Sequence, residues 1–294
     1  MKVFVTGGTG LIGSRLIPHL VASGHTVTCL TRCDASAAAA KSLGATPVMG
    51  DRLDLDIISR AAAEADGAIH LAFDHDRLSE FAQVCAEDRA IISAICEALG
   101  TTNKPFVNAS GTLKTDGETE TCDKLHIEAF PRWKSEELGL SYADKGVRST
   151  AVRLAPVVHA SDRQHPFIGT QIEVAKKMGK VAIVGDGQQV WPAARVDDAA
   201  VVFALALEKG EAGKVYHAVA EEGITLKSIG ETIAKRFALP TETITHDEAM
   251  ERFGFIGALL SMDNKTSSAL TQKWLGWTPK GIDLLGEIEG WKEL

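Results

Sequence analysis

A short apolar run, Val3-Phe4-Val5, passes directly into Thr6-Gly7-Gly8-Thr9-Gly10-Leu11-Ile12-Gly13. No other stretch restricts the fold as much. The apolar run reads as a buried strand, the glycines as a turn, and residues 11–22 as a helix. Glycines at 7, 10 and 13 are spaced so that each has its own task. The first permits a tight turn, the second lets the backbone approach a pyrophosphate, and the third lets the helix pack close on the strand. The helix N-terminus adds free N–H groups and a partial positive charge. In this order of strand, glycine loop and helix, the spacing points to a dinucleotide site bordered by Thr6, Gly7, Gly10, Leu11, Ile12 and Gly13.

The remainder of the chain repeats the strand–helix theme. Apolar runs at 26–30, 46–49, 68–72, 105–109 and 149–154 read as strands, with helical patterns between them. Residues 78–99 carry Leu78, Phe81, Cys85, Ile92, Ile95 and Leu99 on one stripe, and Gly100 ends the pattern. Residues 131–145 read as another helix, with Pro131 in its first turn and Gly146 past its end. Such alternation predicts an α/β protein built on a doubly wound parallel sheet. Beyond residue 154 the alternation loosens. The expected division is a nucleotide-binding core at 1–160, with a return segment at about 194–220, and a smaller C-terminal lobe at 161–193 and 221–294. The tail, with Trp274, Leu275, Trp277 and Pro279, reads as short and irregular.

Ligands in sheets of this kind sit beyond the carboxyl ends of the strands. That rule places Asp51 and Arg52 near an adenine, and Leu71, Ala72 and Phe73 along the cofactor's ribose side. The second strand ends in Thr31-Arg32, and the first acid comes only at Asp34. A carboxylate there would repel a ribose 2′-phosphate, whereas a guanidinium attracts one. NADP(H) is therefore preferred, with NAD(H) open through Asp34. His70 falls inside a strand and reads as a core histidine. The fifth strand runs straight into the small hydroxyl residues Ser110 and Thr112. Asp74, His75, Lys114, His159, Phe167 and Trp191 are the candidates for facing a small-molecule substrate.

Composition narrows the alternatives. With 294 residues the chain can bury a sizeable core, and its net charge of −8 without a local basic cluster argues against sequence-independent nucleic-acid binding. No apolar run approaches the roughly 18 residues needed to span a bilayer. The N-terminal residues read as a strand of the fold, so no signal peptide is expected. Five cysteines, with no Cys-x-x-Cys pair, read as thiols in a reducing compartment, and a cytoplasmic location is expected. Histidines and cysteines show no metal-ligand spacing, so no metal site is expected.

Taken in order, several motifs carry a family resemblance. They are Thr6-Gly-x-x-Gly-x-x-Gly13, Gly50-Asp51, His70-Leu71-Ala72, Ser110, Arg153-x-x-Pro156-x-Val158, Val184-Gly185-Asp186-Gly187 and Arg195-Val196-Asp197-Asp198. Through most of its length the chain resembles the extended and atypical branch of the short-chain dehydrogenase/reductases, the NAD-dependent epimerase/dehydratase-like proteins. The resemblance implies a Rossmann domain holding NAD(P) and a smaller lobe closing over the nicotinamide. It implies Pro156 and Val158 beside the carboxamide, and a homodimer through the helices near 80–99 and 131–145. It also implies a Ser/Tyr/Lys set, with Tyr and Lys four apart on one helix face so that the ammonium lowers the phenol's pKa. In this chain Ser110 matches the serine and would hold a substrate carbonyl with Thr112 assisting, Lys134 falls about where the lysine belongs and would hold the nicotinamide ribose hydroxyls, and Phe130 occupies the tyrosine position. The implied activity is hydride transfer between NADPH and a carbonyl or alcohol. A non-redox epimerase, isomerase or cyclase and an NADP-sensing protein stay open beside it.

Overall fold

Strand β1 (Lys2–Thr6) lies inside a seven-stranded sheet and pairs in parallel with β2 (Thr26–Thr31) on one side and β4 (Gly67–His70) on the other. Outward from β2 lies β3 (Thr46–Met49). Outward from β4 come β5 (Pro105–Gly111), β6 (Arg148–Leu154) and β10 (Val215–Ala218), all parallel. The strand order β10-β6-β5-β4-β1-β2-β3 reverses direction at β1/β4. This is the doubly wound Rossmann arrangement, with its crevice at the switch point. The computed structural model describes residues 1–114, 131–161 and 166–291.

Strand alternation sorts the sheet into two faces. Val3, Val5, Ile69, Val107 and Val152 pack with α1 (Gly13–Ala22) and α7 (Val196–Lys209). On the other face Phe4, Ala68 and Phe106 pack with α3 (Leu55–Ala63) and α4 (Phe81–Leu99). Toward the carboxyl ends this second face turns polar. The register sets Thr6, His70 and Asn108 side by side, and two residues farther on it sets Ser110, Arg153 and His217 side by side. Helix α5 (Trp133–Ser141) covers that polar row. Asn108 Nδ2 donates to Ser135 O at 3.2 Å, and Ser149 Oγ donates to Gly139 O at 2.6 Å.

A second apolar core belongs to the smaller lobe. It gathers Ile168 and Ile172 from α6 (Pro166–Met178), Val181 from β8 (Val181–Val184), and Trp191 from β9 (Val190–Arg195). Ile229 and Ile233 of α8 (Leu226–Phe237), Phe253 of α9 (His246–Phe253), Leu259 of α10 (Phe255–Leu259), and Leu284 and Ile288 of α12 (Leu284–Gly290) complete it. Strand β9 pairs with β7 (Val157–His159) and β11 (Glu221–Thr225), and β8 pairs with β12 (Thr241–Ile244). The tail is more regular than expected. Helix α11 (Ala269–Leu275) runs back to the large sheet, where Leu275 and Trp277 join the nucleotide-side core. Asp283 caps α12 by accepting from Gly286 N at 2.7 Å. Among the described residues no helix is long and apolar enough to cross a membrane. The four described cysteines are free thiols, three of them buried.

Candidate active site

The glycine loop closes against the end of β4. At Gly7, with φ +70°, an added Cβ would lie 2.7 Å from Ala72 N, so only glycine lets these two segments touch. At Gly13 it would lie 2.4 Å from Gly7 O, because the first turn of α1 packs on the loop itself. At Gly10 an added Cβ would meet, among the described residues, only Gly7 O, at 3.2 Å. Two glycines are thus needed by the protein, and the third leaves room for a ligand. Leu11 and Ile12 follow, half-buried against the core, and the first turn of α1 closes back on the loop, with Ser14 N donating to Gly10 O at 3.0 Å and Leu16 N to Ile12 O at 2.9 Å. This cradle fits a dinucleotide pyrophosphate.

At the tip of β2, Thr31 is buried and reaches toward Val48 O, while Arg32 is exposed and forms no ion pair among the described residues. Asp34 sits one turn further, at the start of α2 (Asp34–Ser42). Asp51 is exposed beyond β3, with Oδ1 accepting from Leu53 N at 3.1 Å. Arg52 and Asp74, assigned from the sequence to different ends of the crevice, meet directly. Arg52 Nη2 is 2.8 Å from Asp74 Oδ2 and 2.8 Å from Glu87 Oε2, and Arg77 joins the same network. Phe73 stands beyond β4 with His75 edge-on at 5.1 Å.

Ser110 ends β5 almost fully buried, and its Oγ has no hydrogen-bond partner among the described residues. A buried hydroxyl left unpaired costs free energy, which a ligand oxygen would recover. Thr112 is different. Its Oγ1 lies 2.8 Å from Asn264 Oδ1, and Asn264 Nδ2 donates to Thr112 O at 3.0 Å. Thr112 therefore clamps the end of β5 to the smaller lobe.

Two further assignments are corrected by burial. Trp191 has no exposed surface. Its indole fills the lobe core and Nε1 donates to Met262 O at 3.0 Å. His159 is equally buried, with Nδ1 3.2 Å from Glu287 Oε2, a carboxylate shared with Arg195. Burial holds its pKa below the usual imidazole range, against the pull of Glu287. Neither side chain can line a solvent-filled pocket. Phe167, half-buried, packs edge-on to Trp191 at 5.6 Å. Pro156 is buried, and Val158 packs in the nucleotide-side core.

Helix α5 moves the expected cation. It buries Trp133, Ser135, Glu136 and Gly139, while Lys134 lies exposed on the opposite side. Arg132, just before the helix, reaches the crevice instead and donates from Nη2 to Ala109 O at 2.9 Å. The signal was in the sequence, since Arg132 lies three and four residues from the buried Ser135 and Glu136. Phe130 and the side chain of Lys114 lie outside the described residues. The chain's two tyrosines are engaged elsewhere. Tyr142 donates to Glu97 Oε1 at 3.2 Å, and Tyr216 accepts from Glu211 N at 2.9 Å.

The sequence profile of the NAD dependent epimerase/dehydratase family matches residues 3–219, from β1 to just past β10. The chain belongs to this family. One relative is the uncharacterized protein C2A9.02 of Schizosaccharomyces pombe, 42% identical over 291 residues and covering 98% of both chains. Another is the 4-hydroxy-2-methyl-3-oxo-4-farnesyl-3,4-dihydroquinoline-1-oxide ketoreductase of Stigmatella aurantiaca. It is 26% identical over 246 residues, 78% of this chain and 71% of the relative. Among solved structures, the dTDP-glucose 4,6-dehydratase DesIV of Streptomyces venezuelae, with NAD bound, has the same fold. Its TM-score is 0.75 at 20% identity, covering 99% of this chain and 95% of that one.

Proposed function

We propose that the protein is an NADP-dependent oxidoreductase that reduces a carbonyl group on a small organic molecule. The observation that carries the reading is the unpaired Ser110 hydroxyl, buried at the carboxyl end of β5 in a sheet whose glycine loop fits a pyrophosphate. A hydroxyl in that place donates to a substrate carbonyl oxygen and strengthens its hold as negative charge develops there. When bound, the reduced nicotinamide supplies the hydride. The exposed Arg32 guanidinium at the tip of β2 supports a 2′-phosphate on the adenosine ribose, because nothing among the described residues neutralises it. Relatives of the reductase type, such as the ketoreductase, support the redox direction.

A second reading, an NADP-binding protein without turnover, is favoured by the engagement of both tyrosines away from the crevice. One pair of measurements separates the two. Calorimetry with NADPH and NADH should show NADPH binding about tenfold or more tighter, and Arg32→Ala should remove most of that difference. Nicotinamide absorbance should then fall with at least one member of a panel of ketones and aldehydes. Tight NADPH binding with a flat trace across a broad panel would leave the sensor reading standing. Equal binding of both coenzymes would remove the NADP preference.

A further inference from the structure

Arg132 is anchored at three points around the nicotinamide side of the crevice. Its Nη2 donates to Ala109 O, next to Ser110, its Nη1 pairs with Asp88 of α4, and its guanidinium carbon lies 4.3 Å from the centre of the Phe73 ring. Asp88 is held in turn, with Oδ1 3.2 Å from His70 Nε2. His70 Nδ1 lies 2.6 Å from Thr6 Oγ1, and Thr6 Oγ1 accepts from Ala72 N at 3.3 Å. With Thr6 accepting from the amide and donating to Nδ1, the ring proton directed at Asp88 is assigned to Nε2. Thr6, His70 and Asp88 are 0%, 1% and 2% exposed. A dry chain of hydrogen bonds therefore links the strand that feeds the glycine loop to the guanidinium.

The sheet order gives this cation a place. Arg32 lies at the end of β2, on one side of the loop after β1, and Arg132 lies over the ends of β4 and β5, on the other. A dinucleotide laid across the switch point has its adenosine half on the first side and its nicotinamide half on the second. A guanidinium has more N–H donors than the two engaged here, so Arg132 keeps hydrogen-bonding capacity for a ligand.

We propose that Arg132 is the cation that binds the ribose hydroxyls of the nicotinamide half, with Asp88 and His70 as positioning residues that hold it in register with the glycine loop. This rests on the reading of the crevice as a dinucleotide site. Because Arg132 and Asp88 are tied to Thr6, a shift in the loop is transmitted to the group that meets the other half of the ligand.

The test compares two probes on the full chain, NADPH and adenosine 2′,5′-bisphosphate, which lacks the nicotinamide half. Arg132→Ala should weaken NADPH by about tenfold to a hundredfold and leave the bisphosphate within about twofold. Arg132→Gln supplies the same readout if the alanine variant does not fold. Asp88→Asn and His70→Gln should shift the ratio of the two affinities in the same direction by a smaller factor. A purely structural defect weakens both probes alike, since both use the glycine loop, and leaves the ratio where it was. An unchanged ratio in both Arg132 variants, or a shift in Lys134→Ala instead, overturns the assignment of Arg132. An unchanged ratio in Asp88→Asn and His70→Gln overturns their positioning role. Wild-type protein that binds neither probe overturns the dinucleotide reading itself, a different outcome from either.

Discussion

Glu136 of α5 and Arg153 of β6 face each other as a two-point ion pair with neither side chain exposed. Nη2 lies 2.6 Å from Oε1 and Nε lies 2.9 Å from Oε2. Such a pair orients more than it stabilises, since desolvation offsets much of the attraction, but a single deletion strands a buried charge. Glu136→Leu or Arg153→Met alone should lower stability by about 3–5 kcal/mol in urea unfolding. The double substitution should be more stable than either single one. If the three losses simply add, the two groups are not energetically coupled and the pair does not fix the phase of α5.

Asp88 makes stability depend on acid. Burial alone would raise its carboxyl pKa, but the Arg132 charge and the His70 hydrogen bond outweigh that and bring it from 3.8 down to about 2. A carboxyl with a depressed folded-state pKa contributes stability that is complete above the unfolded value and is lost as pH falls through the folded one. The contribution, about 2 kcal/mol, should therefore disappear between pH 4 and pH 2. Denaturation curves over that window should be shallower in pH for Asp88→Asn than for wild type. Parallel curves would show that Asp88 is not the group responsible.

Ser110 separates binding from chemistry. Its hydroxyl has no partner to lose among the described residues, so Ser110→Ala should leave the melting temperature and NADPH affinity close to wild type. Turnover of a carbonyl substrate should fall about a hundredfold in kcat, the cost of removing one donor to a developing oxyanion. A loss confined to KM would make Ser110 a ground-state contact only.

The parts of this protein legible in its sequence are those set by neighbours along the chain. Gly7, Gly10 and Gly13 announce the loop because turn, approach and packing are all decided within a few residues. The phase of α5 is another matter. On a helix a step of two residues turns the side chain by about 200°, so a small shift in the assumed alignment exchanges Arg132 for Lys134 and reverses which one meets the crevice. Thr112 and Trp191 illustrate a second limit. Their partners, Asn264 and Met262, lie 152 and 71 residues away, and no local pattern shows that the side chains are spent on tertiary contacts. His159 and Glu287, 128 residues apart, fail for the same reason.

Two glycines of one fingerprint should fail in different ways. A methyl group on Gly13 would press on Gly7 O and Gly8 Cα at 2.4 and 2.5 Å, both backbone atoms that cannot swing aside. Gly13→Ala should therefore cost about 1–3 kcal/mol, a fall of several degrees in melting temperature even without ligand. Among the described residues Gly10→Ala meets only Gly7 O, at 3.2 Å, and should melt within a degree or two of wild type. Its methyl group, however, projects into the open space that a pyrophosphate would occupy. NADPH affinity should fall about tenfold or more in a protein that is otherwise intact. Calorimetry paired with thermal melts reads both effects, and a Gly10→Ala protein that binds NADPH like wild type would mean that no ligand backbone passes over that residue.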